Sequence, residues 1–112
     1  MKEAVGDIWD YRAKGHWIVI TTNGSVRKDG RAVMGRGVAL EAARRFPELP
    51  RLLGRLVKSR GIVPFVFPRR RLFTLPVKHR WMERADLMLI ERELAWLAAY
   101  VDRELGRGFR PN

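Results

Sequence analysis

The feature that most constrains the fold is the run of residues 16–22 (HWIVITT), which is almost wholly aromatic or β-branched. A run of this length and composition favours a β-strand that is covered on both faces. Asn23-Gly24-Ser25 follows it and predicts a turn at the end of the strand. Because such a strand needs other elements packed above and below it, the sequence predicts a layered α/β domain.

Strand and helix patterns alternate along the rest of the chain. Three further short strands are predicted, over residues 6–11, 62–67 and 71–75. Three helices are predicted, over residues 38–45, 48–60 and 85–105. In the last helix an apolar stripe is expected to lie in the core, and it consists of Leu87, Ile90, Leu94, Leu97 and Val101. The predicted order is therefore β-β-α-α-β-β-α, a mixed sheet with helices packed on it.

Length and composition narrow the class of protein. At 112 residues the chain has room for a single domain over residues 1–112. It has no cysteine, which excludes disulfides and thiolate metal sites and fits a reducing compartment. No segment reaches the roughly 20 apolar residues of a membrane helix, and the N-terminus lacks a signal-peptide pattern. We therefore expect a cytoplasmic protein with no membrane partner.

The charge of the chain is strongly positive. Its formal net charge is +11, and arginine accounts for 18 of the 23 basic residues. Such a surplus favours polyanions, phosphates or acidic surfaces as partners. A general enrichment in surface arginine explains the same number, so the composition leaves both interpretations open.

The loop with the clearest chemistry is residues 34–38 (MGRGV), between the buried strand and the first long helix. Gly35 and Gly37 would let the backbone approach a ligand and adopt positive φ. The helix that follows presents unpaired amides and the positive end of its dipole, which together form an anion site. A G-x-G motif at such a junction is also ordinary turn chemistry, so this alternative stays open.

Polar residues stand at the predicted strand ends: Asp7, Asn23, Lys78 and His79. Each has an ordinary explanation as a cap, a turn former or a surface side chain. In an open α/β sheet, however, strand ends meet in one crevice, and ligands bind there. The four together predict a ligand site at that edge of the sheet.

Four segments resemble the macro domain family, in particular the branch of DNA ADP-ribosyl glycohydrolases and terminal ADP-ribose protein glycohydrolases. The segments are residues 17–24 (WIVITTNG), residues 32–39 (AVMGRGVA), the Phe46-Pro47 break and residues 72–81 (LFTLPVKHRW). The resemblance extends over nearly the whole chain, from Gly6 to about Leu105. It implies a macro-type α/β fold.

The resemblance also implies a ligand, ADP-ribose, with no metal or other cofactor. Asp7 would bind the adenine amino group, Asn23 would lie near the distal ribose, and Lys78 would be the catalytic residue that attacks or binds the anomeric carbon of that ribose. A lysine amine is a chemically reasonable nucleophile for a sugar carbon. The diphosphate would be held by loop amides, those of Gly35, Arg36, Gly37 and Val38.

The chain departs from the family pattern after residue 105. Macro domains continue with another strand and a second glycine-rich loop, which in the glycohydrolases brings a catalytic acid; residues 106–112 show no such pattern. We therefore expect an incomplete macro-type domain that lacks its C-terminal strand and second glycine loop. Two consequences are expected, a homodimer that covers the open sheet edge or weakened ligand binding. Activity as an ADP-ribosyl glycohydrolase, a hydrolase, would depend on that loop being supplied.

Two other functions are compatible with the sequence. One is a basic nucleic-acid-binding module, because aromatic and basic residues together can stack on and neutralise a strand. It rests on Arg44-Arg45, on Arg69-Arg70-Arg71 and on Trp81 beside Lys78, His79 and Arg80. An ADP-ribosylated nucleic acid would satisfy this interpretation and the previous one together. The other is a remnant without activity.

Overall fold

The computed structural model describes residues 8–80 and 82–105. One sheet contains three strands: β1 (Ile18–Asn23), β2 (Phe65–Phe67) and β3 (Leu72–Lys78). The α-helices are α1 (Ile8–Ala13), α2 (Gly37–Arg45), α3 (Leu49–Arg60) and α4 (Leu87–Tyr100). A 3-10 turn (Pro68–Arg70) precedes β3, and a π turn (Val101–Leu105) follows α4. The predicted α/β class is confirmed.

The sheet is mixed, as predicted, and β3 is its central strand. β1 runs parallel to β3, whereas β2 and β3 form an antiparallel pair across the 3-10 turn. At the carboxyl ends of β1 and β3 the register shifts, so that Asn23 pairs with Lys78. The parallel pairing therefore places the last residues of β1 and β3 side by side at one edge of the sheet.

One face of the sheet carries the main core. α2 and α3 cover this face with apolar side chains that recur at helical spacing. The buried members from the sheet and these two helices are Ile18, Ile20, Phe65, Phe67, Leu72, Ala39, Ala42, Leu49 and Leu53. Full burial of an aliphatic or aromatic side chain stabilises by about 1.5–3 kcal/mol, so this layer holds much of the fold.

The opposite face is covered by α4, and here the predicted stripe is wrong. Leu87 is 73% exposed and Leu94 is 51% exposed, while Ile90, Leu97 and Val101 are only half-buried. The buried residues of α4 are instead Leu89 and Glu93. The reason is that apolar residues occur almost all round this helix, so their spacing does not identify the inward face.

The prediction that β1 is covered on both faces is also wrong. Ile18, Ile20 and Thr22 are buried towards α2 and α3, but Thr21 is exposed and Val19 is half-buried. The helix α4 packs mainly on β3 and leaves the outer face of β1 thinly covered. Residues 16–22 are thus apolar enough for two-sided burial but obtain it on one side.

The first element is a helix, whereas the sequence predicts an edge strand over residues 6–11. Trp9 is buried, its ring lies 6.3 Å from that of Phe46, and its Nε1 donates to Glu41 at 2.7 Å. These tertiary contacts override the strand preference of the aromatic and β-branched residues. Gly15, at φ +98°, ends the element as predicted.

Residues 25–33, predicted as loop, fold into a tight hairpin that packs on α3. Val26 pairs with Ala32 in an antiparallel bridge, and Arg27 N–H donates to the Arg31 carbonyl at 2.7 Å. Ala32 N–H donates to the carbonyl of Pro50 at 2.8 Å. Gly54 allows this contact, because a Cβ there would overlap the carbonyl oxygen of Gly30. None of the helices in the described ranges is long and apolar enough to span a bilayer.

Candidate ligand-binding cleft

A cleft of about 510 Å³ opens at the carboxyl ends of β1 and β3. Its walls come from both strand ends, the loop before α2 and the first turns of that helix. The lining residues are Thr21, Thr22, Asn23, Val33, Gly35, Arg36, Ala39, Val77 and Lys78. This is the crevice that the strand-end argument predicts, and its volume is in the range of small-molecule sites.

The structure brings four of the predicted site residues to this cleft: Asn23, Gly35, Arg36 and Lys78. Gly37 begins α2 beside them, whereas the Val38 side chain is half-buried and packs against the core. A role for Val38 is therefore restricted to its backbone. Asp7 lies outside the described residues.

The two loop glycines differ in conformation. Gly37 has φ +56°, in the left-handed region that disfavours side chains. Gly35 does not have positive φ, contrary to the expectation for it, but a Cβ there would meet no atom within 4 Å. Gly37 is therefore needed for the backbone path, and Gly35 leaves open space beside the cleft.

The start of α2 is free of competing side-chain acceptors. Arg36 is the N-cap residue, in extended conformation, and its side chain makes no capping hydrogen bond. The first turn of α2 contains no acidic residue. The first amides of a helix have no intrahelical acceptor, so those of α2 remain available to a bound anion.

Side-chain charge in the cleft has one sign. The described lining contains two cations, Arg36 and Lys78, and no carboxylate. Both add to the positive end of the α2 dipole. An anion in the cleft thus meets attraction from backbone and side chains together, without repulsion from a lining carboxylate.

The side chain of Asn23 has a bracing role that the sequence did not reveal. Its Nδ2 donates to the Val33 carbonyl at 3.3 Å, and its Oδ1 accepts from Ser25 N–H at 2.9 Å. These bonds tie the end of β1 to both ends of the hairpin that precedes the glycine loop. Asn23 therefore positions one wall of the cleft in addition to lining it.

Gly24 is a second residue whose role the sequence did not reveal. Its N–H donates to the Lys78 carbonyl at 3.1 Å, and a Cβ there would collide with the Ile62 side chain and the His79 carbonyl oxygen. The Asn-Gly pair predicts only a turn. The structure shows that the glycine also lets the ends of β1 and β3 approach each other.

His79 does not line the cleft, contrary to the expectation that all the strand-end residues meet there. Its Nε2 lies 3.2 Å from Asp86 Oδ2. Asp86 also caps α4, since its Oδ1 accepts from the N–H groups of Met88 and Leu89. The backbone hydrogen bond from Leu89, together with His79 and Met88, lowers the pKa of Asp86 despite an opposing effect of desolvation. His79 thus helps fix the start of α4.

No group of three or more metal-ligating side chains is found within the described parts of the chain. The chemistry available to the cleft is therefore that of amides, a guanidinium group, an amine and hydroxyl groups. This set can bind oxyanions and sugar hydroxyl groups.

Comparison with known proteins places this geometry in context. No family model matches the chain, and no curated protein matches it in sequence. Among solved structures, Thermosipho africanus DarTG in complex with ADP-ribose superposes with a TM-score of 0.67 at 19% identity, over 80% of this chain and 27% of that one. The macrodomain of Thermus aquaticus DarG superposes with a TM-score of 0.60 at 26% identity, over 78% of this chain and 60% of that one.

The chain thus spans 27% and 60% of the lengths of these two relatives. Both matches include a protein whose structure contains, or is described as, a macrodomain of the DarG type. The predicted macro-type fold is confirmed, and the described elements form a partial macrodomain that resembles that of DarG.

Proposed function

We propose that the cleft binds ADP-ribose, with the diphosphate against residues 34–38 and the start of α2. The observation that carries the proposal is the free helix start beside two cations in a lining without carboxylates. Diphosphate oxygens are suited to such a site, because several amides and cations can share their charge. Similarity to a DarTG structure determined with ADP-ribose supports the choice of ligand.

Within this proposal the strand ends contact the distal ribose. Lys78 and Asn23 pair in the sheet register, and both line the cleft. The Asn23 amide uses one N–H and one acceptor bond to brace the hairpin, which leaves one N–H for a ribose hydroxyl group. The Lys78 amine is assigned to the anomeric end of the ribose. Asp7 is assigned to the adenine on the family resemblance alone.

Binding, rather than turnover, is the activity that this cleft supports. Displacement at an anomeric carbon needs an unprotonated lysine as nucleophile and an acid that protonates the leaving group. The described lining supplies the amine but no carboxylate. Glycohydrolase activity is therefore proposed only for a form in which an acid is supplied from outside this lining.

The test is titration calorimetry with ADP-ribose on the wild type, Gly35→Glu and Gly35→Gln. Gly35 is the better position to change, because its open surroundings admit a side chain and its φ is not positive. We expect one-to-one binding by the wild type and a loss of at least about tenfold in Gly35→Glu, since one unfavourable charge contact of about 1.4 kcal/mol has that effect. Gly35→Gln, the neutral control of equal size, should lose less.

Two outcomes contradict the proposal. The first is no binding of ADP-ribose by a wild-type protein that unfolds cooperatively. The second is equal affinity of Gly35→Glu and wild type, which would place the diphosphate elsewhere. Lys78→Ala tests the ribose assignment separately: it should weaken ADP-ribose more than ADP, and equal weakening of both would remove the lysine from the distal ribose.

A further inference from the structure

A cluster of arginines occupies the end of the sheet opposite the cleft. We call Arg12, Arg45, Arg70 and Arg71 the arginine cluster; they come from α1, α2, the 3-10 turn and the residue before β3. Arg71 O accepts from Ile18 N–H at 3.1 Å, which places the cluster at the amino ends of β1 and β3. β3 is seven residues long, so about 20 Å of strand separates the cluster from Lys78.

Two aromatic rings hold the cluster in place. The guanidinium carbon of Arg45 lies 4.3 Å from the centre of the Trp9 ring. Those of Arg12 and Arg70 lie 5.0 and 5.8 Å from the centre of the Phe46 ring. Cation–π contacts of this kind fix a guanidinium plane without using its N–H donors. The donors thus remain available to an anion.

Two of these arginines also join α1 to the 3-10 turn. Arg12 Nε donates to the Arg70 carbonyl at 2.6 Å, and Arg71 Nη2 donates to the Arg12 carbonyl at 2.9 Å. Each bond uses one of five N–H donors. The Nε of Arg71 is buried and has no hydrogen-bond partner. This structural role accounts for Arg12 and Arg71 but not for Arg45.

Positive charge around the cluster exceeds negative charge. Arg44 and Arg69 are exposed and adjoin the cluster in sequence. Two carboxylates contact it, Glu48 paired with Arg70 and Glu41 bound to the Trp9 ring nitrogen. Burial, and then repulsion from Arg71 and Arg45, lowers the pKa of Arg12. Six arginines against two carboxylates leave a surface whose charges repel each other until an anion binds.

We propose that the arginine cluster, with Arg44 and Arg69, binds the phosphodiester backbone of a nucleic acid. A row of phosphates offers regularly spaced charges to several fixed guanidinium groups at once, which a single carboxylate side chain does not. The rings do not stack on bases, because Trp9 is 5% exposed and Phe46 is covered by Arg12 and Arg70. Binding is therefore independent of base sequence. The site is also independent of the proposed ADP-ribose cleft.

The structure also divides the basic residues on which the sequence-based nucleic-acid interpretation rests. Arg44-Arg45 and Arg69-Arg70-Arg71 lie at the amino ends of the strands, whereas Lys78 lies at the carboxyl ends. Trp81 lies outside the described residues. The proposal therefore rests on the first two groups alone.

The experiment measures fluorescence anisotropy of a labelled, unmodified single-stranded oligonucleotide across a salt series. The test variant is Arg45→Gln/Arg69→Gln, because both side chains are exposed and neither takes part in the Arg12–Arg71 connection. We expect at least about tenfold weaker binding at 0.1 M salt and a log–log salt slope that is smaller by about 2, one unit for each lost phosphate contact. The control, Arg55→Gln/Arg92→Gln, removes the same charge from exposed positions on α3 and α4.

Three outcomes overturn the proposal. Equal losses in test and control variants would show that net charge alone drives binding. Competition by poly-glutamate as effective as that by the unlabelled oligonucleotide would show that any acidic polymer fits. An equal loss in Gly35→Glu would place the nucleic acid in the cleft. Thermal unfolding of each variant checks that it is folded, and failure of ADP-ribose binding leaves this test unaffected.

Discussion

The two faces of the sheet solve the same packing problem unequally. The face covered by α2 and α3 buries side chains such as Ile20, Leu49 and Leu53 almost completely. The face covered by α4 buries one leucine and one glutamate from that helix and leaves Leu87 and Leu94 in solvent. The difference teaches that apolar content alone does not make a core, because burial also depends on how much of the opposing surface each helix covers.

The largest expected effect is on the well-packed face. Leu53→Ala removes a 2% exposed side chain from beneath α3 and should lower the free energy of unfolding by about 2–5 kcal/mol. Urea denaturation followed by far-UV circular dichroism measures this change. A loss below about 1 kcal/mol would mean that the two faces are equally loose.

A second test on the same side of the molecule concerns the fit between α3 and the hairpin. Gly54→Ala places a methyl group against the Gly30 carbonyl oxygen, and overpacking of this kind costs about 1–3 kcal/mol. Alanine raises intrinsic helix propensity, so a gain in stability would show that the hairpin moves freely. Gly35→Ala, with open space around it, is the control and should change stability little.

A smaller effect is expected at Glu93, on the face under α4. Burial raises the pKa of this carboxyl above its ordinary value of 4.5, and Arg92 opposes the shift only in part. Ionisation therefore disfavours folding: stability is greatest below pH 4.5 and falls as the pH rises through the folded-state pKa. Glu93→Gln should remove this pH dependence and raise the melting temperature at pH 7.

The control for this prediction is Glu91→Gln on the exposed side of the same helix. It should leave the profile of melting temperature against pH unchanged between pH 4 and 8. If Glu93→Gln melts below the wild type at pH 7, the charged carboxylate stabilises α4 and the assignment of its burial is wrong.

The smallest effect is expected at Leu94, whose exposed position contrasts with its place in the predicted stripe. Leu94→Ser should change the free energy of unfolding by no more than about 0.5 kcal/mol, as is usual for surface substitutions. A loss like that of Leu53→Ala would mean that Leu94 is buried in solution, for instance in the predicted homodimer. Light scattering on both proteins would identify such a dimer.

These contrasts also show where sequence-based prediction succeeds. The glycine loop, α2 and α3 follow from local signals, namely glycine spacing, the Phe46-Pro47 break and one clear leucine stripe. The inward face of α4 and the helical state of residues 8–13 do not, because both are decided by contacts between distant residues such as Trp9 and Phe46. The macro-type resemblance is confirmed for the fold, and the roles of the site residues stay predictions.

Within the cleft, the sequence predicted which residues gather but not how they are held. Asn23 and Lys78 end neighbouring strands, so their proximity follows from a parallel pairing that the alternation of elements favours. The bonds of the Asn23 amide and the close approach at Gly24 depend on the path of the hairpin. No short-range pattern encodes that path.

The hairpin of residues 25–33 has one further consequence. Asn23 fastens its two ends and Pro50 fastens its far strand, so the segment leading into the glycine loop is anchored at both sides before any ligand arrives. Little conformational entropy is then left for an incoming molecule to remove. Changes on the buried side of α3, far from any phosphate, would accordingly register as altered ligand dissociation rates.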